Sequence, residues 1–303
     1  MKILVIANPH AGSGTTRRRI HGLMTELRRR AEQVRLEWTM APGGAGLVAQ
    51  RRAGDYDAIL AAGGDGTLNE VVCGLLAAGI DVPVAVAPYG SGNDYARLIG
   101  MPSRPSSIAE VLLSASVRVM DVGEVEWTSA RDDGSRIFVN AMGCGVDALV
   151  ARVVSQAATV KGRGRYLAAI RKAVKEWQHP VTDIRTDRST WSAEMLLCTA
   201  AIGKTTGGGV RLTPHAEPDD GLLDVCLAPR LSLGRLVQLL PRAAVGRHTG
   251  AREVTYEAST MMSVHAPAGV PVHLDGELLP FNVRELRVRV LPRRLRVITP
   301  PGR

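Results

Sequence analysis

This 303-residue chain is short of aromatic side chains, with two Phe, five Tyr and four Trp. Proteins that grip single-stranded nucleic acid interleave aromatics with basic residues so that bases can stack. That scarcity argues against nucleic acid as a partner, in spite of a net charge of +9. Cysteine is also sparse: Cys73, Cys144, Cys198 and Cys226 lie far apart among apolar neighbours, with no CxxC pair. Zinc-ribbon and dithiol chemistry have no support, and buried thiols in a reducing cytoplasm are the expectation. No apolar run approaches the ~20 residues that span a bilayer. The stretch Met1–Ile6 is too short for the apolar region of a signal peptide. Membrane contact is therefore expected to be peripheral.

What the chain has is aliphatic residues, glycine and arginine. Its 45% apolar and 22% charged content are those of a soluble globular protein large enough for two domains. Basic clusters at Arg17–Arg19, Arg28–Arg30, Arg51-Arg52, around Arg163, Arg165, Arg171 and Lys172, and from Arg284 to Arg296 favour anionic partners. Nucleotides and anionic membrane surfaces both qualify. For any single cluster, an arginine-rich solvated face is the better reading.

The densest motif is Gly63-Gly64-Asp65-Gly66-Thr67-Leu68-Asn69-Glu70. It follows the apolar run Ala58–Ala62 and precedes a helical pattern from Leu68 to Ala78. Strand, glycine turn and helix let backbone N–H groups and a helix N-terminus face a phosphate. Asp65 would repel a bare anion, so the motif points to a metal–nucleotide complex. A ligand-free strand-to-helix turn is the bland alternative. Two further glycine loops follow strands, Asn8–Gly14 after Lys2–Ala7 and Pro88–Asp94 after Pro83–Ala87. Strands are also expected at Val34–Met40, and helices at Ile20–Ala31, Leu47–Arg52 and Ile108–Ser114. Alternating strands and helices argue for a parallel, helix-covered sheet, with its ligand beyond the carboxyl ends of the strands. All three loops fall there.

Beyond Val117 the pattern changes to strands that alternate apolar and polar residues: 117–127, 137–142, 193–202, 222–228, 254–258, 262–265, 270–274 and 286–290. That reads as a mostly antiparallel second domain. Helices interrupt it at Tyr166–Trp177 and at Leu233–Leu240, the latter stopped near Pro241. Gly203-Lys204-Thr205 imitates the end of a Walker A loop, but the required first glycine is Cys198. Gly143-Cys-Gly145-Val-Asp-Ala148 fits a dinucleotide fingerprint outside a first βα unit, so it reads as a packing turn. Carboxylates crowd two other turns, Glu217-Pro-Asp219-Asp220-Gly-Leu222 and Asp275-Gly276-Glu277. Either is an ordinary acidic turn taken alone. Beside a nucleotide loop they suggest a metal clamp and a proton acceptor for phosphoryl transfer.

Taken together, Asn8-Pro9…Gly12-Ser13-Gly14, the Gly63–Glu70 run, Pro88-Tyr-Gly-Ser91-Gly-Asn93-Asp94, Asp121-Val-Gly123, Gly207–Gly209, Asp220–Val225 and Asp275–Glu277 resemble the bacterial soluble diacylglycerol kinase/sphingosine kinase-like lipid kinases. The resemblance implies an α/β N-terminal nucleotide-binding domain, NAD kinase/phosphofructokinase-like, over 1–120. The strand near Leu295–Ile298 would rejoin it through 292–303. A mainly antiparallel β-sandwich over 121–291 would carry the lipid and metal functions, with the active site in the cleft between the domains. ATP would be contacted by Asn8, Pro9, Gly12, Ser13, Gly14, Thr39, Gly63, Gly64, Asp65, Gly66, Thr67, Asn69, Glu70, Ser91, Asn93 and Asp94. Asp65 and Asp94 would organise the catalytic Mg²⁺ and its waters. A structural Mg²⁺ would be held by Asp220 with carbonyls of Glu217 and Leu222, supported by Asp121. Asp275 and Glu277 share the proton-acceptor role, undivided by sequence.

The implied reaction is transfer of the ATP γ-phosphate to a lipid hydroxyl, of diacylglycerol or of a sphingoid base, ceramide or polyprenol. The implied setting is cytoplasmic, peripheral to an anionic membrane, with a homodimer among the expected states. The rival enzyme class is NAD kinase, which shares the Gly-Gly-Asp-Gly-Thr core but not the later acidic turns. A nucleotide-binding regulator without catalysis is a rival of another kind, opposed by the complete set of carboxylates.

Overall fold

The computed structural model describes residues 1–302 except 115, 157–162 and 280–281, and the side chains at 13, 154–156 and 163–168 are not part of the description. Two expectations thus lie partly outside it, the Ser13 side chain and the arginines 163 and 165. The chain divides into two compact units, residues 1–121 with 292–303, and residues 122–291.

The first unit begins with β1 (Lys2–Ala7), α1 (Thr15–Arg28), β2 (Gln33–Trp38) and α2 (Gly44–Arg52). β3 (Ala58–Gly63), α3 (Asp65–Ala78), β4 (Val84–Pro88), α4 (Asp94–Leu98) and α5 (Pro105–Ser114) follow, and β5 (Val117–Thr128) runs from the first unit into the second. β4, β3, β1 and β2 lie side by side and parallel. Ile3 to Ile6 and Ile59 to Leu60 have no exposure at all, as expected of a parallel sheet covered on both faces. α2 starts three residues earlier than the apolar pattern predicts. Its N-terminus is held from a distance: Gly43 and Ala45 N–H donate to the two Glu70 carboxylate oxygens (2.8 and 3.0 Å). A cap supplied by another helix leaves no local sequence signal.

The second unit contains β6 (Asp133–Phe138), β7 (Ala141–Gly145), α6 (Val146–Gln156), α7 (Arg163–Glu176), β8 (Val181–Thr186), β9 (Thr190–Ala201), β10 (Leu223–Pro229) and α8 (Leu233–Ala244). β11 (Thr255–Ser259), β12 (Met261–Val270), β13 (Val272–Leu274), β14 (Glu277–Leu278) and β15 (Val283–Ile298) complete the order. One antiparallel run is β9–β8–β12–β15, and a second is β11–β10–β9–β7–β13–β14. β9 serves both: Thr190–Glu194 pairs with β8, while Met195–Ala201 pairs with β10 and β7. Between them lies a core that includes Phe138, Met195, Leu223, Val264, Val272 and Leu286.

Several expectations need correction here. β8 reads as loop in sequence because two of its three inward residues are the buried threonines Thr182 and Thr186. The expected strands Leu286–Val290 and Leu295–Ile298 are one strand, β15, bent where Arg293 takes a positive φ of 54°. Its far end lies in the first unit, where Val297 pairs in parallel with Val84 of β4. The expected strand 137–142 is two strands, broken at Val139 and Asn140. α8 does not stop near Pro241 but runs on to Ala244. The proline deprives the Val237 carbonyl of its helical donor, and Val237 stands 67% exposed, where water can replace it.

Asp187, in the turn after β8, ties two hairpins. Its carboxylate accepts from Ser259 Oγ (2.6 Å), Thr260 N–H (2.9 Å) and Thr260 Oγ1 (2.7 Å). These bonds hold it down at a pKa of about 2. A depressed folded-state pKa contributes stability above the ordinary carboxylate range, which is lost as pH falls towards about 2. Between about pH 4 and pH 2 the wild-type Tm should therefore fall more steeply than that of Asp187→Asn. Parallel curves from calorimetry would show that this carboxylate contributes nothing.

Candidate active site

Three loops meet at the carboxyl ends of β1, β3 and β4. After β1, Asn8 Oδ1 accepts from His10 N–H (2.9 Å), and a tight turn with Gly12 and Gly14 at positive φ leads into α1. After β3, Gly64 leads directly into α3. After β4, Asn93 closes its own loop, with Oδ1 accepting from Gly90 N–H (2.9 Å) and Nδ2 donating to Gly90 O (2.8 Å). The loops touch through backbone. A Cβ added at Gly90 would stand 2.3 Å from Gly64 Cα, and one at Gly12 would stand 2.2 Å from Tyr89 O. Any side chain at either place would push the loops apart. Asn8 Nδ2 donates to Thr67 Oγ1 (3.4 Å), and Asp65 Oδ1 accepts from Tyr95 N–H (3.0 Å), tying the loops together again.

The first N–H groups of a helix point outward along its axis and carry its positive end. At α3 these belong to residues 65–67, and no side chain caps the Gly64 end. α1 likewise starts at Gly14 without a side-chain cap. Two uncapped N-termini beside glycine loops make a region suited to phosphate.

Other members of the expected nucleotide set have structural duties. Glu70 caps α2, as described. Asn69 is buried and accepts from Cys73 Sγ (3.6 Å). Asp94 is 5% exposed and accepts from Arg97 Nη1 (2.7 Å). Thr39 is buried and donates its N–H to Ala7 O (2.9 Å), while Ser91 is exposed. Pro9 is buried, and Gly63 and Gly66 complete the β3–α3 junction. Arg19, in the sequence only one member of a basic cluster, has a defined place at these loops. Its guanidinium lies 4.1 Å from the Tyr89 ring centre and donates to Pro88 O (3.2 Å) and Ser103 O (2.9 Å). Burial pushes the Tyr89 phenol up to about 12, with Arg19 opposing.

In the second unit the Asp275–Glu277 turn resolves into two different carboxylates. Asp275, at φ 52°, accepts three consecutive backbone N–H groups: Val139 on Oδ2 (2.8 Å), and Asn140 and Ala141 on Oδ1 (both 2.9 Å). Such consecutive amides form an anion nest, and here the chain's own carboxylate fills it. The nest is also what breaks the expected strand 137–142. Glu277 is 39% exposed and forms a tight ion pair through Oε2 with Arg136 Nη2. Its Oε1 has no hydrogen-bond partner among the described residues. Behind the turn, Gly276 N–H donates to Nδ1 of the buried His273 (3.3 Å). His273 Nε2 faces Asp147 Oδ2 (3.6 Å), which accepts from Thr199 Oγ1 (2.9 Å). Arg136, Asn140, Asp147 and His273 lie too far from the turn in sequence, His273 excepted, for any motif to join them.

The other acidic turn gathers Glu217, Asp220 and Leu222. Asp220 Oδ1 accepts from Leu222 N–H (3.0 Å), and the exposed Glu217 pairs with Lys204 Nζ (2.8 Å). Nearby, burial raises the Asp224 pKa, the Tyr256 hydroxyl opposes the rise, and Asp220 and Glu217 add to it. Hard oxygen donors in a mutually repelling acidic group suit a divalent cation. Among the described residues, however, no three His, Cys, Asp or Glu side chains converge on one point. A site here would rest on one carboxylate and backbone carbonyls. Asp121 belongs to the first unit, where it is fully buried and accepts from Arg293 N–H (2.8 Å).

A parallel α/β unit with glycine loops suited to phosphate, together with an antiparallel unit bearing a half-exposed carboxylate, fits one class of protein: a two-unit phosphotransferase. Residues 2–125 match the diacylglycerol kinase catalytic domain, and residues 140–299 match the YegS C-terminal NAD kinase beta sandwich-like domain. Mycobacterium tuberculosis has a diacylglycerol kinase 28% identical over 306 residues, covering 99% of this chain and 95% of that protein. A protein of Pseudomonas aeruginosa named as a YegS-like lipid kinase is 33% identical over 260 residues, covering 84% and 81%. A solved diacylglycerol kinase structure from Bacillus anthracis, 21% identical, superposes with a TM-score of 0.75 over 99% of this chain and 97% of that one. The chain belongs to the bacterial diacylglycerol kinase and YegS-like lipid kinase family, and it is an enzyme of the lipid kinase class.

Proposed function

We propose that the protein is an ATP- and Mg²⁺-dependent lipid kinase whose acceptor is diacylglycerol or a closely related neutral lipid. The observation that carries the mechanism is the division of labour in the Asp275–Glu277 turn. Asp275 is spent on three backbone amides, while Glu277 keeps an oxygen open. Glu277 is thus the proton acceptor, and Asp275 is the residue that holds the turn.

In the first unit, the N-termini of α1 and α3 and the glycine loops bind and orient the triphosphate of ATP, and Asp65 and Asp94 are the carboxylates that would hold its metal. The lipid hydroxyl oxygen bonds to the γ-phosphorus as the bond to the β,γ-bridging oxygen breaks. ADP leaves, and the hydroxyl proton passes to Glu277. Such a transition state is stabilised by positioning and by neutralising charge rather than by covalent help. Mg²⁺, when bound, supplies part of that neutralisation. Asp220 and the carbonyls of Glu217 and Leu222 would hold a second, structural ion. The product gains nearly two negative charges at neutral pH.

No helix among the described residues is long and apolar enough to cross a membrane. Together with the basic balance, this supports a cytoplasmic enzyme acting peripherally at an anionic bilayer. Labelled ATP offered with detergent micelles of diacylglycerol, a sphingoid base, ceramide or a polyprenol, and separately with NAD, tests the reading. Label should enter a lipid. Transfer to NAD alone would overturn it.

A further inference from the structure

α8 is apolar on two sides. Leu236 and Leu239 turn inward, Leu239 buried and Leu236 packed on the core of the second unit. On the outside, Leu233 (73% exposed) and Val237 (67%) stand one turn apart on α8, and Val245 (56%) follows at its C-cap, an apolar stripe that runs off the end of the helix. Other exposed large apolar residues, such as Met40 and Val181, stand singly and need no account. A stripe does.

The charged side chains of the segment that contains α8 are all basic. From Val225 to Arg252 there are five arginines, at 230, 235, 242, 247 and 252, and no acidic residue. Arg230 is paired with Glu194, and Arg235 and Arg252 with Glu253. Arg242 and Arg247 have no ion-pair partner among the described residues. Both line an open hollow of about 430 Å³ with Pro241, Val245 and Gly250, at the end of the stripe. The C-terminus of a helix carries roughly half a negative charge, so two guanidiniums leave the hollow strongly positive. An apolar stripe ending in a cationic hollow matches an anionic bilayer, with acyl chains for the side chains and lipid phosphates for the arginines. A polyanion without acyl chains would leave the stripe in water.

We infer that α8 lies in the surface of an anionic phospholipid bilayer, with Leu233, Val237 and Val245 among the acyl chains and Arg242 and Arg247 on lipid phosphates. This rests on the lipid kinase reading and names the surface by which the enzyme reaches its substrate. Neither α8 nor the hollow belongs to the nucleotide loops or the Asp275–Glu277 turn, so binding to membrane is separable from chemistry.

The test is sedimentation of the full chain with vesicles of phosphatidylcholine, alone or with one third phosphatidylglycerol, beside kinase assays in detergent micelles. Wild type should bind the anionic vesicles. Leu233→Gln/Val237→Gln and Arg242→Glu/Arg247→Glu should each weaken that binding on the order of tenfold or more. Charge reversal at the exposed Arg28 and Arg51 of the first unit should have little effect. Micellar activity should stay near wild type in every variant, which also shows that each folds. Unchanged vesicle binding in both α8 variants would overturn the proposal. So would loss in the arginine variant alone, which would mark a polyanion site. Wild-type binding that follows these expectations, with no lipid phosphorylated in micelles, would instead remove the kinase reading and leave the docking surface standing.

Discussion

Glu277→Gln should lower phosphoryl transfer by on the order of 10²–10⁴-fold, the usual worth of a positioned acid–base group. It should leave nucleotide affinity and Tm near wild type. Glu277 is 39% exposed and its one ion-pair partner among the described residues is Arg136, itself 30% exposed; pairs that open to solvent contribute little to stability. Asp275 should behave in the opposite way. Asp275→Ala would strand the N–H groups of Val139, Asn140 and Ala141, at about 1–3 kcal/mol for each buried donor left unsatisfied. It would also place alanine at a φ of 52°. The expected outcome is a large fall in Tm, with activity lost as a consequence. Thermal unfolding beside single-turnover kinetics separates the cases. A Glu277→Gln enzyme within tenfold of wild type, or an Asp275→Ala protein of undiminished stability and no activity, would exchange the two assignments.

The second large effect belongs to Gly90. Alanine there would bring its Cβ to 2.3 Å from Gly64 Cα and 2.9 Å from Gly64 N, both backbone atoms with no rotamer to change. The loop must move, and Gly64 is where α3 begins. Displacements of about 1 Å at a site that depends on placement cost on the order of 10²-fold. Gly90→Ala should therefore lose ATP affinity by about that factor in calorimetric titration. Gly54→Ala, where an added Cβ meets nothing within 4 Å, should not. Equal affinities would mean that close contact between the two glycine loops is not what shapes the nucleotide site.

The first unit is largely legible in its sequence because β1, β3 and β4 are continuous apolar runs punctuated by glycine loops. Each element there is defined by neighbours close in the chain. The second unit is less so. β8 hides its inward face behind threonines, and β15 conceals a bend at Arg293. The strand expected over 137–142 fails at Val139 and Asn140, where the amides turn to Asp275, some 135 residues later. Local alternation is overridden at the place where the candidate chemistry lies. The glycine and acidic motifs name the participating loops, but not the duties within them. That Glu70 caps a helix, that Asp275 fills a nest and that Arg136 holds Glu277 are facts of folding at long range.

The far end of β15 carries a consequence for the order in which the molecule is made. Residues 1–121 leave the ribosome first, yet Val84–Pro88 gains its neighbour strand only when residues 292–303 emerge, after the entire second unit. Until then β4, every residue of which is buried in the finished protein, borders an open edge. Unpaired apolar edges recruit strands from other chains. During translation the nucleotide unit is thus an incomplete sheet waiting on a distant segment, and the second unit must form promptly for the first to close.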